Sequence, residues 1–206
     1  MEMCSYANIQ CLTINGYART SIDDIVEKQT EPNHTWNAVR INNQWRLIDA
    51  TWGSGYTDKK VKAFTPRYSD VYFFTDPNKF LLSHYPKLSS WKPEKASLSL
   101  AQFYTNPVIT DGYYSNNIIS FFPGKGMIKA GSKEVIGFSL TMPVIKDISS
   151  LTVAIGEDKQ RTVVNPDFKI AGNSISFNIS YEKMGLYPLA IYINNIMCLE
   201  YALEIK

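Results

Sequence analysis

Apolar and polar positions alternate in short runs along the chain, the period of a β-strand. The first run is "IQCLTINGYA", residues 9–18, where Ile9, Cys11 and Thr13 alternate with Leu12 and Ile14 and Gly16 closes the run. Residues 1–7 read as the last turn or two of a helix, so sequence upstream of residue 1 is expected. Residues 21–33 are polar and end in Glu31-Pro32-Asn33, a loop. Residues 34–41 and 44–51 read as two strands joined by Asn42-Asn43, a pair that tolerates left-handed backbone angles and suits a two-residue hairpin turn. Residues 57–70 read as loop and 71–74 as a strand. Asp76-Pro77 opens a short helix over 77–82, followed by loop. Residues 99–107 read as a helical connection ending before Pro107.

The pattern changes near residue 106. Strand-like runs then recur at 117–122, 134–142, 150–156, 160–164, 174–180, 187–193 and 196–205, and Gly, Asn, Asp or Pro separate most of them. This spacing predicts a β-sandwich, and Gly185-x-Tyr187 ahead of an alternating strand is a minor cue for the Ig-like kind. The expected organisation is therefore α+β, with residues 1–105 as a mixed domain and 106–206 as an all-β domain.

Composition narrows the class. The 206 residues are 45% hydrophobic and 19% charged, so a core can form without staples and disorder is not the main state. A net charge of +2 without like-charge runs argues against nucleic-acid or membrane-surface partners. Cys4, Cys11 and Cys198 are too few, and odd in number, for a disulfide scaffold, so free thiols in a reducing, cytoplasmic setting are expected. No signal segment or membrane span is visible, and the sequons at Asn33 and Asn178 are read as chance.

The chemistry concentrates in "NHTWNAVRINNQWRLIDATWGSGY", residues 33–56. If Asn42-Asn43 forms the turn, Ile41 faces Gln44, Asp49 faces Trp36 and His34 faces Thr51. His34 and Asp49 are then diagonal neighbours on one face, roughly 7–8 Å apart at the backbone. A one-residue change in the loop would put them on opposite faces. An aspartate on one ring nitrogen fixes the tautomer of a histidine and leaves the other nitrogen for a nucleophile. A buried polar pair that holds the hairpin in register explains the same two residues equally well.

The pattern His-x-Trp-x-x-Val, a short turn, and Trp-x-x-x-Asp-x-Thr-Trp-Gly resembles the His and Asp segments of transglutaminase-like domains. "SDVYFFTDPNKFLLSHYP" followed by Trp91 resembles the kyphoscoliosis peptidase and hillarin branch. The resemblance covers residues 4–105 well and the sandwich more loosely. It implies a papain-like core, partial in this chain, and thiol acyl transfer by a Cys-His-Asp triad, with His34 as base and Asp49 as its orienter. Trp36, Trp45, Trp52 and Gly53 match the frame and are expected to pack. His84 lies outside the triad pattern and is read as structural or surface.

The nucleophile is where the chain departs from the family. "MCSYA" around Cys4 imitates the Gly-x-Cys-x-Gly-Tyr motif, but the family cysteine opens a helix of several turns. Cys4 stands only twelve residues before Gly16, which leaves no room for that helix. The nucleophile is therefore expected to be missing, with Cys4 as the one candidate held open. Cys11 and Cys198 are weaker still.

Two functions follow from the resemblance: a thiol acyl-transfer enzyme acting on protein or peptide, or a non-enzymatic, cytoskeleton-associated interaction module. A metal site of His34, Asp49 and His84 lacks a recognised ligand spacing, and no cofactor is expected.

Overall fold

A computed structural model describes residues 1–57, 63–94, 96, 98–145, 147–157 and 160–206. Strands hold 43% of the described residues and helices 18%, so it is a mixed fold weighted to β. The chain divides into two compact units, one of residues 1–18 and 29–100, the other of residues 19–28 and 101–206.

The elements of the first 105 residues are α1 (Glu2–Tyr6), β1 (Cys11–Ala18), α2 (Asp23–Val26), β2 (His34–Ile41), β3 (Gln44–Ile48), α3 (Ala50–Ser54), β4 (Gly55–Thr57), β5 (Phe64–Pro66), a 3-10 turn (Asp70–Tyr72), α4 (Pro77–Phe80), β6 (His84–Pro86), a second 3-10 turn (Ser89–Trp91) and α5 (Leu100–Thr105). Four of the strands form one antiparallel sheet in the order β3-β2-β1-β6. The β2–β3 hairpin has the expected register: Ile41 faces Gln44, Ala38 faces Leu47 and Asn37 faces Ile48. Asn42 and Asn43 both take positive φ, 50° and 63°, as a two-residue turn matched to strand twist requires.

Several local expectations are corrected. The second hairpin strand stops at Ile48 instead of running to residue 51, because the Asp49 carboxylate accepts the Trp52 N–H and caps α3. Residues 70–72 form a 3-10 turn where a strand was expected, although Phe73 still bridges Ile48. The expected loops at 21–33, 57–70 and after residue 82 contain α2, β5 and β6. The 58–62 part of the second loop lies outside the described residues. Asp76 caps α4 as expected, with Pro77 in its first turn.

The core of this unit gathers Ile14, Trp36, Ala38, Leu47, Tyr72 and Phe80, with Trp52, Val71 and Trp91 against it. Gly16 is needed where β1 meets β6: a Cβ there would lie 2.3 Å from the Tyr85 carbonyl oxygen and 2.4 Å from the Trp36 ring.

The second unit adds β7 (Val108–Ile109), α6 (Asp111–Ser115), β8 (Ser120–Phe122), β9 (Met127–Ala130), β10 (Val135–Thr141), β11 (Leu151–Ile155), β12 (Thr162–Val164), β13 (Phe168–Ala171), β14 (Ser174–Ser180), β15 (Gly185–Ile193) and β16 (Ile196–Ile205). One sheet runs β13-β14-β10-β8; the other runs β12-β11-β15-β16-β7, with β9 parallel to β16. The two sheets meet through their apolar faces. Phe138 on β10 stacks on Phe177 of β14 and meets Tyr201 of β16 edge-on, at 5.2 and 5.6 Å between ring centroids. Asn194-Asn195 turns β15 into β16 with the same pair of positive φ angles as the first hairpin.

Candidate active site

His34 opens β2 opposite Gly16 of β1. The residue before it fixes that strand end: the Asn33 carboxamide accepts the Ala18 N–H at 2.8 Å and donates to the Ala18 carbonyl at 2.9 Å. The same bonds occupy the amide of the sequon at Asn33. Asp49 sits in the turn between β3 and α3, where its N–H donates to the Tyr72 carbonyl at 2.9 Å. Its Oδ1 accepts the Trp52 N–H at 3.0 Å. Its other oxygen, Oδ2, bonds His34 Nε2. The paired ladder ends at Asn37–Ile48, so the contact with His34 is made from the helix cap and not from a strand residue facing Trp36.

A second histidine completes the cluster. His84 lies on β6 opposite Ala18, two positions along β1 from the residue facing His34, and therefore on the same face of the sheet. Its Nε2 is 2.9 Å from Asp49 Oδ2 and its Nδ1 is 2.8 Å from Ser83 Oγ. His84 is buried at 1% exposure, stacked on Phe80 at 4.2 Å and met edge-on by Trp52 at 4.4 Å and Trp36 at 5.3 Å. It belongs to the interior, but it is bonded to the aspartate and is more than packing. The sequence carried little sign of this: the strand that orients His84 has three residues, too short for alternation to show.

The electrostatics follow from burial and donors. Burial pushes the Asp49 carboxyl up, but N–H donors from His34, His84 and Trp52 outweigh it and hold the group well below the usual carboxylate range. Burial pushes His84 down, against the opposing pull of Asp49, so its ring is neutral at neutral pH. An ionised carboxylate only accepts, so His84 carries its proton on Nε2 and its bare Nδ1 accepts from the Ser83 hydroxyl. His34 likewise presents Nε2–H to Asp49, which leaves its Nδ1 available to a substrate or nucleophile. His34 lines a pocket of about 560 Å³ together with Asn15, Pro32, Asn33, Thr35, Thr51 and Lys87.

His34, Asp49 and His84 bring one donor or acceptor atom each to within 4.8 Å of one another. Both Nε2 atoms turn to Asp49 Oδ2, so hydrogen bonds link the three. Of the frame residues, Trp36 and Trp52 flank the His34 ring at 6.2 and 5.5 Å, Trp45 packs on Trp91 at 5.6 Å, and Gly53 N–H bonds the Asp49 carbonyl at 2.9 Å.

The cysteines are elsewhere. Cys11 stands five positions along β1 from Gly16, about 17 Å at the usual strand rise. Burial raises the Cys11 thiol, and a hydrogen bond and charge from Cys4 raise it further, which places Cys4 beside Cys11 and away from His34. Cys198 is buried in β16, where burial pushes its thiol up to about 12. The structure thus brings together His34 and Asp49, adds His84, and brings neither Cys4 nor Cys11 to them.

No family model matches the chain. Among curated proteins it is 35% identical to kyphoscoliosis peptidase of Homo sapiens over 129 residues, 62% of this chain and 20% of that protein. It is 30% identical to Lim and transglutaminase domain protein ltd-1 of Caenorhabditis elegans over 140 residues, 60% of this chain and 18% of that one. Hillarin of Drosophila melanogaster is 22% identical over 228 residues, 97% of this chain and 27% of hillarin. The chain thus spans between about a fifth and about a quarter of the length of these relatives. Over the part they share, the chain is similar to the kyphoscoliosis peptidase and hillarin branch of the transglutaminase-like proteins.

Proposed function

We propose that residues 1–105 form part of a papain- and transglutaminase-like domain whose His34 and Asp49 serve a thiol in acyl transfer, and that residues 106–206 form an Ig-like sandwich. The observation that carries this is the His34–Asp49 bond on Nε2, with His34 lining a pocket.

His34 Nδ1 takes the proton of the thiol, and Asp49 stabilises the imidazolium that results. The thiolate attacks the carbonyl carbon of a peptide bond or a glutamine side chain. The tetrahedral intermediate expels the amine as His34 returns the proton to it. Water or a second amine, deprotonated by His34, then attacks the thioester and releases the thiol. The thiol comes from outside Cys4, Cys11 and Cys198, since Cys11 lies at the far end of β1 with Cys4 of α1 beside it and the third is held protonated. The partner is a protein in a cytoplasmic, cytoskeleton-associated setting. No helix among the described residues is long and apolar enough to cross a membrane.

Iodoacetamide alkylation against pH, read at each cysteine by mass spectrometry, tests the reading. The expected result is slow reaction at all three thiols near pH 6 in residues 1–206. A longer polypeptide that carries the family's Gly-x-Cys segment should show one fast thiol, slowed by His34→Ala. A fast Cys4 that His34→Ala slows would make Cys4 the nucleophile. No fast thiol in the longer polypeptide would leave the second reading, an interaction module, which the distance of Cys4 and Cys11 from His34 already favours for this chain alone.

A further inference from the structure

We infer that His84 is a positioning residue for the His34–Asp49 pair: as a neutral ring it donates Nε2–H to Asp49 Oδ2, takes the Ser83 hydroxyl on Nδ1, and so divides the aspartate's charge between two imidazoles. The inference deepens the proposed function and rests on its assignment of His34 as the base.

Three observations carry it. First, both ring contacts converge on one oxygen, Oδ2, while Oδ1 is committed to the Trp52 N–H. Any proton density that His84 supplies to Oδ2 is therefore felt directly by His34. Second, the His84 ring has no freedom to turn away. Phe80 stacks on one side, Trp52 and Trp36 close the edges, and Tyr72 stands at 5.8 Å. Third, the tautomer is set by Asp49. An ionised Asp49 requires a donor at Nε2, which leaves Nδ1 an acceptor for the Ser83 hydroxyl at 2.8 Å; that hydroxyl also lies 3.4 Å from the Phe80 carbonyl. A residue that only filled space would need neither bond.

The consequence has a sign. A carboxylate that accepts two N–H donors on one oxygen is a weaker partner for each than it would be for one alone. With the His84 donor removed, Asp49 Oδ2 bonds His34 alone and holds its Nε2–H more tightly. The other groups facing this cluster are few. The His34 pocket holds Lys87, which pairs with Glu31 at 3.4 Å, and α4, whose Phe80 stacks on His84, carries Lys79 in its last turn and Asp76 as its cap.

The test uses the fact that the chain has two histidines, one partly exposed and one buried. Diethylpyrocarbonate modifies neutral imidazole, and peptide mapping separates His34 from His84. In the wild-type chain His34 should react and His84 should be protected. His84→Phe keeps the ring stack and removes the donor; it should slow the modification of His34 at neutral pH by about two- to fivefold. His84→Gln places an amide N–H near the position of Nε2 and should restore the wild-type rate. Identical rates in all three would overturn the inference, as would a slowing in His84→Gln as large as in His84→Phe. If the Phe variant does not fold, nitrogen-15 spectra of the wild-type rings decide alone: His84 with its proton on Nδ1, or protonated at neutral pH, overturns the inference. These readouts need neither thiol nor substrate, so they succeed or fail independently of the acyl-transfer reading.

Discussion

At the scale of single residues, Asp49 and His84 couple stability to pH in the same direction. Both groups are held below their ordinary values, so the folded chain binds fewer protons than the unfolded chain and stability rises with pH. His84 contributes a loss that begins as pH falls below the ordinary imidazole value of about 6.5, and Asp49 adds to it below about 3.9. Thermal unfolding between pH 8 and 5 should therefore show a falling midpoint in the wild-type chain and a flatter one in His84→Gln, which cannot titrate. Equal slopes would mean that His84 is not buried in its neutral form. Asp49→Ala removes the acceptor of three N–H donors and the cap of α3; it should cost about 3 kcal/mol in a urea titration. Asp49→Asn keeps an acceptor oxygen and should cost less.

At the scale of elements, the hairpin was readable because its register depends on one turn. Once Asn42-Asn43 is the turn, the pairing follows by counting, and both asparagines do adopt the left-handed angles that make a two-residue turn work. That geometry makes a prediction: Asn43→Val places a β-branched residue at φ 63° and should cost about 1–2 kcal/mol, whereas Asn43→Gly should be neutral or slightly stabilising. Fluorescence of Trp45, within the hairpin, reports the change. The cap at Asp49 was harder to see, because Ile48-Asp49-Ala50-Thr51-Trp52 continues a strand-like alternation while the carboxylate in fact starts a helix. The placement of His84 was out of reach for a different reason. It depends on β6 pairing with β1, a contact between positions nearly seventy apart in the chain and conditional on Gly16 having no side chain. Gly16→Ala should press on the Tyr85 carbonyl and the Trp36 ring together, cost about 1–3 kcal/mol, and expose His84 to diethylpyrocarbonate.

At the scale of the whole molecule, the chain is not divided by a single cut. The onset of recurring strand-like runs places one boundary near residue 105, yet residues 19–28, between β1 and β2, group with residues 101–206. Arg19 gives the physical reason. Its guanidinium donates to the carbonyls of Asn106 at 2.6 Å and Pro107 at 2.9 Å and lies over the Phe103 ring at 4.6 Å. Burial lowers its pKa to about 10, with Asp24 the first of the groups opposing that shift, so it is still charged at neutral pH. Such a side chain cannot be seen from sequence, where Arg19 is one polar residue at the start of a loop. A fragment of residues 101–206 would lose this cation and leave two carbonyls without their donors, a loss of about 2–3 kcal/mol. The fragment should therefore unfold at lower urea than the same unit in the full chain, and Arg19→Met in the full chain should reproduce most of the difference. A peptide of residues 19–28, added in trans, should raise the fragment's midpoint, while the same peptide with Met in place of Arg19 should not. If the bare fragment is as stable as the unit in the full chain, the 19–28 segment lies on the second unit without supporting it, and one cut near residue 105 describes the chain after all.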